Sequence, residues 1–94
     1  MLEREIEKRL GAELRKRGCL YYKFVSPGAP GVPDRMVIAP DGRVYFIELK
    51  TSSGRLSAQQ RVQIEKIRRH GVAVEVVYGL SDAMAFLDRF GREK

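Results

Sequence analysis

Glu48 and Lys50 close a run of residues that otherwise reads as buried strand. Val44-Tyr45-Phe46-Ile47-Glu48-Leu49 carries apolar side chains on both parities of its alternation, the pattern of a strand covered on both faces. Positions 48 and 50 then project to the same side. Charged groups are rarely buried unless paired or bound to a metal. A carboxylate and an ammonium leaving a core strand together therefore need a partner. Pro33-Asp34, on the preceding segment, supplies a second carboxylate. Two carboxylates and an amine suit a divalent cation and a phosphate, so the pattern points to metal-dependent cleavage of nucleic acid.

Phosphodiester hydrolysis requires polarised phosphoryl oxygens, a nucleophilic water and compensation of charge on the leaving oxygen. Mg²⁺ takes oxygen ligands, usually one or two carboxylates with waters and substrate phosphate completing its shell. Asp34 and Glu48 are the carboxylates expected to meet, with the backbone carbonyl of Leu49 as a third ligand from the protein. Lys50 would orient or deprotonate the attacking water, or stabilise charge developing on the phosphate. Mn²⁺ is the alternative cation.

This site imposes a geometric condition. If Pro40 paired with Arg43 across a two-residue turn, Asp34 would face Leu49 and miss Glu48. An odd loop, a bulge or a bend at Pro33-Asp34 restores the shared face. Such an irregularity is expected.

The elements that must position these residues follow from periodicity and punctuation. Ile6, Leu10 and Leu14, with Leu2 before them, make an amphipathic stripe over residues 3–17, closed by Gly18. Residues 20–25 read as a strand, in which alternation sends one of Tyr21 and Tyr22 into the core. Residues 26–33, rich in proline and glycine, form a shaped loop. Residues 34–39 and 43–50 form an antiparallel pair around Pro40-Asp41-Gly42. A helix over 57–70, a strand over 72–78 and a last helix from about Ser81-Asp82 follow. That helix presents Met84, Leu87 and Phe90 and frays over residues 91–94. The order αβββαβα predicts an α/β fold, a mixed sheet flanked by helices.

The 94 residues amount to one domain. No apolar run approaches the ~18 residues of a membrane span, and the first residues lack the apolar stretch of a signal peptide, so an intracellular, cytoplasmic setting is expected. The lone Cys19 excludes an internal disulfide and reads as a buried thiol. A net charge of +6 favours a polyanionic partner. Lys23, Arg35 and Arg55 are the cations best placed to touch it, by their proximity to the site.

Several blocks together resemble a known family. Pro33-Asp34 followed by Glu48-Leu49-Lys50 is similar to the signature of the PD-(D/E)XK nucleases, which share a restriction-endonuclease-like fold. Phe24 to Gly28, Gly31 to Arg35, Phe46 to Lys50 and Gly54 to Gln60 resemble, in order, a stand-alone VRR-NUC domain of the phage and bacterial type. The resemblance covers nearly the whole chain, residues 1–94. It implies metal binding by Asp34 and Glu48 and a catalytic role for Lys50. It also implies a catalytic acid from the first helix, Glu3 with Glu7 as runner-up, and a glutamine from the second. The Ser57-x-x-Gln60 spacing selects Gln60 over Gln59. A homodimer resolving branched DNA, such as four-way (Holliday) junctions, is implied as well.

Plainer roles compete for several of these residues. Ser57 and Gln60 have the spacing of a helix capping box. Glu3 and Glu7 complement the positive end of a helix dipole, and His70 the negative end of another. Glu48 and Lys50 taken alone would make an ordinary ion pair. The competing function is a basic nucleic-acid-binding module with the same fold and no catalysis.

Overall fold

A computed structural model describes residues 1–92, with side chains described through Phe90. The elements run α1 (Glu3–Lys16), β1 (Leu20–Lys23), β2 (Arg35–Ile38), β3 (Val44–Lys50), α2 (Ala58–Arg69), β4 (Ala73–Tyr78) and α3 (Gly79–Arg92). The four strands form one sheet in the order β1-β2-β3-β4. The first three are antiparallel, and α2 carries the chain over to β4, which runs parallel to β3. This is the mixed α/β sheet expected from the pattern of elements.

The core lies between the sheet and the α1/α3 layer. Ile6, Leu10 and Leu14 of α1 meet Tyr21, Val37, Tyr45, Ile47, Leu49 and Val77 from the strands, with Ala83, Phe86, Leu87 and Phe90 of α3. Tyr21 is the inward tyrosine of its pair, and Cys19 is buried at the edge of this core. Helix α2 packs against β4 on the opposite face, burying Ile64 and Val74. His70 caps the C-terminus of α2, its Nδ1 2.8 Å from the Lys66 carbonyl.

The hairpin between β2 and β3 decides where the site forms. The register pairs Arg35 with Ile47 and Ile38 with Val44. Ala39 therefore stands opposite Arg43, its N–H bonded to the Arg43 carbonyl, across the three-residue loop Pro40-Asp41-Gly42. Gly42 takes φ +89°, open to glycine at no steric penalty, and its N–H closes the turn on the Ala39 carbonyl. Continuing this register outward puts Asp34 opposite Glu48, on the same face. The expected irregularity is this odd loop.

Several expectations need correction. Leu2 does not extend the α1 stripe; it is exposed ahead of the first turn, where its N–H donates to the Glu5 carboxylate. Met84 lies at the surface, and Ala83 and Phe86 take the inward positions of α3 instead. That helix begins at Gly79, because the Asp82 carboxylate reaches back to accept from the Tyr78 N–H. It runs through Arg92, and the last of the residues over which fraying is expected, Glu93 and Lys94, lie outside the described residues. The β3 strand is buried on both faces only over Ile47-Glu48-Leu49; Val44 is exposed and Phe46 partly so, because α2 does not reach over them.

Candidate active site

The face of the sheet away from α1 and α3 collects Asp34, Glu48 and Lys50. Asp34 is brought there by the three-residue hairpin loop, and its backbone is pinned by Phe24, whose N–H donates to the Asp34 carbonyl at 2.9 Å. Glu48 is the one buried charged residue among those described, 4% exposed. One of its oxygens, Oε2, lies 3.8 Å from Lys50 Nζ and accepts from Gln60 Nε2 at 3.3 Å. The other, Oε1, is buried with no hydrogen-bond partner among the described residues, and so is Asp34 Oδ1.

Pro33 bears on a third oxygen. With Ala39 bonded to Arg43, the hydrogen-bonded pairs of the antiparallel ladder fall on odd-numbered residues, and continuing the register outward sets Pro33 opposite Leu49. A residue other than proline could donate its N–H to the Leu49 carbonyl there, and proline has none to give.

An unpaired buried acceptor is costly, and two in one site point to something that satisfies them together. With the Leu49 carbonyl they make a set of hard oxygen donors of the kind that Mg²⁺ or Mn²⁺ prefers. The residues present thus fit a divalent cation. Among the described residues no cluster of three or more His, Cys, Asp or Glu gathers elsewhere or here, so the fit depends on the backbone oxygen as well as the two side chains.

The electrostatics report the same crowding. Burial pushes the Glu48 carboxyl up to about 7, helped by the neighbouring charges of Asp34 and Glu3 and opposed by Lys50. Asp34 is also raised, chiefly by burial and further by Glu7, against the opposing charges of Arg35 and Lys50. Two carboxyl groups that resist ionisation side by side would each be favoured in the charged form by a cation between them.

Gln60 serves two masters. Ser57 Oγ accepts from the Gln60 N–H at 3.1 Å, and Gln60 Oε1 accepts from the Ser57 N–H at 2.9 Å, a complete capping box. The amide's other end donates to Glu48. Capping and a place in the site, competing readings of the sequence, are met by opposite ends of one side chain. The loop over 24–34 presses on this corner, with Gly31 (φ +94°) so close to α2 that an added Cβ would lie 2.7 Å from the Gln59 carbonyl carbon and oxygen.

The two candidate acids of α1 part company. Glu7 Oε1 accepts from Arg35 Nε at 2.9 Å in a largely buried ion pair, and Arg35 Nη1 also donates to the Asp34 carbonyl at 3.1 Å. Arg35 points to the α1 side of the sheet, where it ties the helix to the strand carrying Asp34. Glu3 is exposed, without an ion pair among the described residues, and its charge reaches Glu48. Lys23 and Arg55 are exposed and likewise lack a partner among the described residues. Spacing could not have revealed the Glu7–Arg35 pair, which joins positions 28 residues apart. The role of Pro33 was legible in principle, as a proline placed where a ladder donor is required.

The sequence model of the VRR-NUC domain family matches residues 2–81. The chain belongs to the VRR-NUC family. A solved structure titled "VRR_NUC domain" superposes with a TM-score of 0.86 at 26% identity, covering 92% of this chain and 94% of that one. A second, titled "VRR_NUC domain protein", shares the fold with a TM-score of 0.75 at 16% identity, over 98% and 89% of the two chains. A curated relative, "Putative nuclease p44" of Acyrthosiphon pisum secondary endosymbiont phage 1, is 56% identical over 48 residues. That match takes in 51% of this chain and 52% of the phage protein, so the chain spans about half the length of the curated relative it matches. The sheet of the VRR-NUC domain here is the α/β, PD-(D/E)XK-like one that the motif blocks imply.

Proposed function

We propose that this VRR-NUC domain is a nuclease that hydrolyses DNA phosphodiester bonds internally, dependent on Mg²⁺ or Mn²⁺. The observation that carries the reading is the pair of buried oxygens without hydrogen-bond partners among the described residues, Asp34 Oδ1 and Glu48 Oε1, beside the Lys50 ammonium. Asp34, Glu48 and the Leu49 carbonyl would hold the cation. When bound, it supplies Lewis acidity toward the phosphoryl group and lowers the pKa of water.

The protein's own groups divide the remaining work. Lys50, whose Nζ sits 3.8 Å from Glu48 Oε2, orients the attacking water or meets negative charge on the phosphate. Gln60 fixes the Glu48 carboxylate through its amide, leaving Oε1 turned to the ligand position. Glu3 is the acid assigned to the mouth of the site. Glu7 instead acts through Arg35, holding α1 and the Asp34 backbone in register. Arg55, in the loop after the site, gives a phosphate contact; Lys23, which pairs with Arg35 and so projects from the other face of the sheet, would reach a phosphate only around the β1 edge, and Arg35 steadies the Asp34 carbonyl.

The finer substrate assignment rests on resemblance, which makes branched DNA such as a four-way junction the proposed target. A two-fold homodimer would place two sites for paired incisions. The phage relative supports a phage or bacterial, cytoplasmic setting. No helix among the described residues is long and apolar enough to cross a membrane.

The test is incubation of the purified protein with linear, single-stranded, flap and four-way DNA, with Mg²⁺, Mn²⁺ or EDTA. Metal-dependent incision strongest on the four-way substrate is expected. Binding without cleavage under every condition would instead identify a basic module that keeps the fold and lacks the activity. Equal cutting of linear and branched DNA by a monomer would refute the junction assignment alone.

A further inference from the structure

The face that carries the site continues into an apolar surface that no helix covers. Leu20, Tyr22 and Val44 are exposed on it, at 49%, 49% and 39%, with Met36 and Phe46 partly so. Register places these residues in rows with the site. Tyr22, Met36 and Phe46 form one row, and Phe24, Asp34 and Glu48 form the next. Phe24 packs edge-on against Phe46, ring centroids 5.1 Å apart, and links the two rows. Tyr22 thus stands one strand and two residues from Asp34, roughly 8 Å between Cα atoms at ordinary sheet spacings.

We propose that this surface, with Tyr22 at its exposed edge, is a stacking platform for unpaired nucleotide bases flanking the phosphate to be cut. The inference rests on the nuclease reading and adds that bases flanking the incision, in a branched substrate those at the branch point, are splayed from their partners when bound. Continuity with the site decides the occupant. Phe24 shares a row with Asp34 and Glu48, and Tyr22 lies in the next, within reach of a chain held at the carboxylates. Charge agrees, since the chain carries +6. A base inside a duplex has both π faces occupied by its neighbours. Only a splayed or unpaired base offers one to a flat sheet, and aromatic stacking of this kind tolerates any base.

The chain has no tryptophan, so Tyr22→Trp introduces a single reporter. In EDTA, without cleavage, a single-stranded oligonucleotide should quench its fluorescence, while an abasic strand of equal length and a blunt duplex should leave it bright. Tyr22→Ala should weaken single-strand binding about 5- to 150-fold, the range of one base–aromatic stack, and Tyr22→Phe should restore it. Unchanged affinity of Tyr22→Ala, or equal quenching by the abasic strand, would overturn the platform. So would an unchanged affinity accompanied by loss of a dimer in sedimentation, which would give the face to a second copy. Stacking without any metal-dependent incision would leave the platform standing and refute the nuclease reading instead.

Discussion

Without divalent ions, Glu48 should make the domain weaker as the pH rises. In the folded chain its carboxyl ionises only near pH 7, against 4.5 for an unperturbed glutamate. Between those values the native state keeps a proton that the unfolded state has lost. Stability is therefore full below about pH 4.5, declines through about pH 7 and levels off above it. At about 1.4 kcal/mol per pH unit the difference is about 3 kcal/mol, or roughly 12–24 °C in Tm for a domain of this size. Glu48 is buried, so solvent screening does little to reduce the figure. Asp34, raised in the same direction, adds to it. Glu13 and Asp41 are lowered by exposed partners, and what they contribute is lost only as the pH falls below this window. Thermal melts in EDTA from pH 4.5 to 8.5 should show the decline in the wild type and little of it in Glu48→Gln. Mg²⁺ or Mn²⁺ at pH 8 should recover the wild type and leave the variant unmoved, since binding requires the carboxylate. A wild-type Tm independent of pH, or an equal decline in the variant, would refute the account of a crowded, uncompensated carboxylate.

Further perturbations separate structure from chemistry. Gln60→Glu should keep the bond from the Ser57 N–H, hold its Tm at pH 6 within a few degrees, and lose turnover because it no longer donates to Glu48; unchanged activity would leave the residue to capping alone. Gln60→Ala should in addition lose about 1 kcal/mol of stability in denaturant melts. Gly31→Ala should lower both Tm and cleavage, because a Cβ there meets the Gln59 backbone at 2.7 Å; wild-type behaviour in both would show the loop free to move away from α2. Glu7→Gln should cost about 1–2 kcal/mol through its weakened bond to Arg35, with kcat reduced less than in Glu3→Gln. The reverse order of activities would make Glu7 the acid of the site.

Much of this arrangement is written locally. The odd hairpin loop follows from requiring Asp34 and Glu48 on one face, and Pro40-Asp41-Gly42 meets that requirement because glycine accepts the positive φ. The stripe of Ile6, Leu10 and Leu14 identifies α1, and Ser57 with Gln60 marks the start of α2. What escaped depends on where elements land after folding. Apolar residues on both parities of β3 suggest burial on both faces, yet α2 leans toward β4 and leaves Val44 and Phe46 open. Met84 fits a helical stripe as well as Ala83 does; contact with α1 and the sheet decides which faces inward. The Glu7–Arg35 bond joins two charges that no local pattern relates.

The most direct test of the central claim is metal-dependent cleavage of four-way DNA by the wild type, Asp34→Asn and Lys50→Ala, with binding measured on the same samples. The account predicts incision by the wild type only when Mg²⁺ or Mn²⁺ is present, and a loss of at least about 100-fold in either variant while DNA affinity persists. Undiminished cutting in EDTA, or by Asp34→Asn, would contradict it.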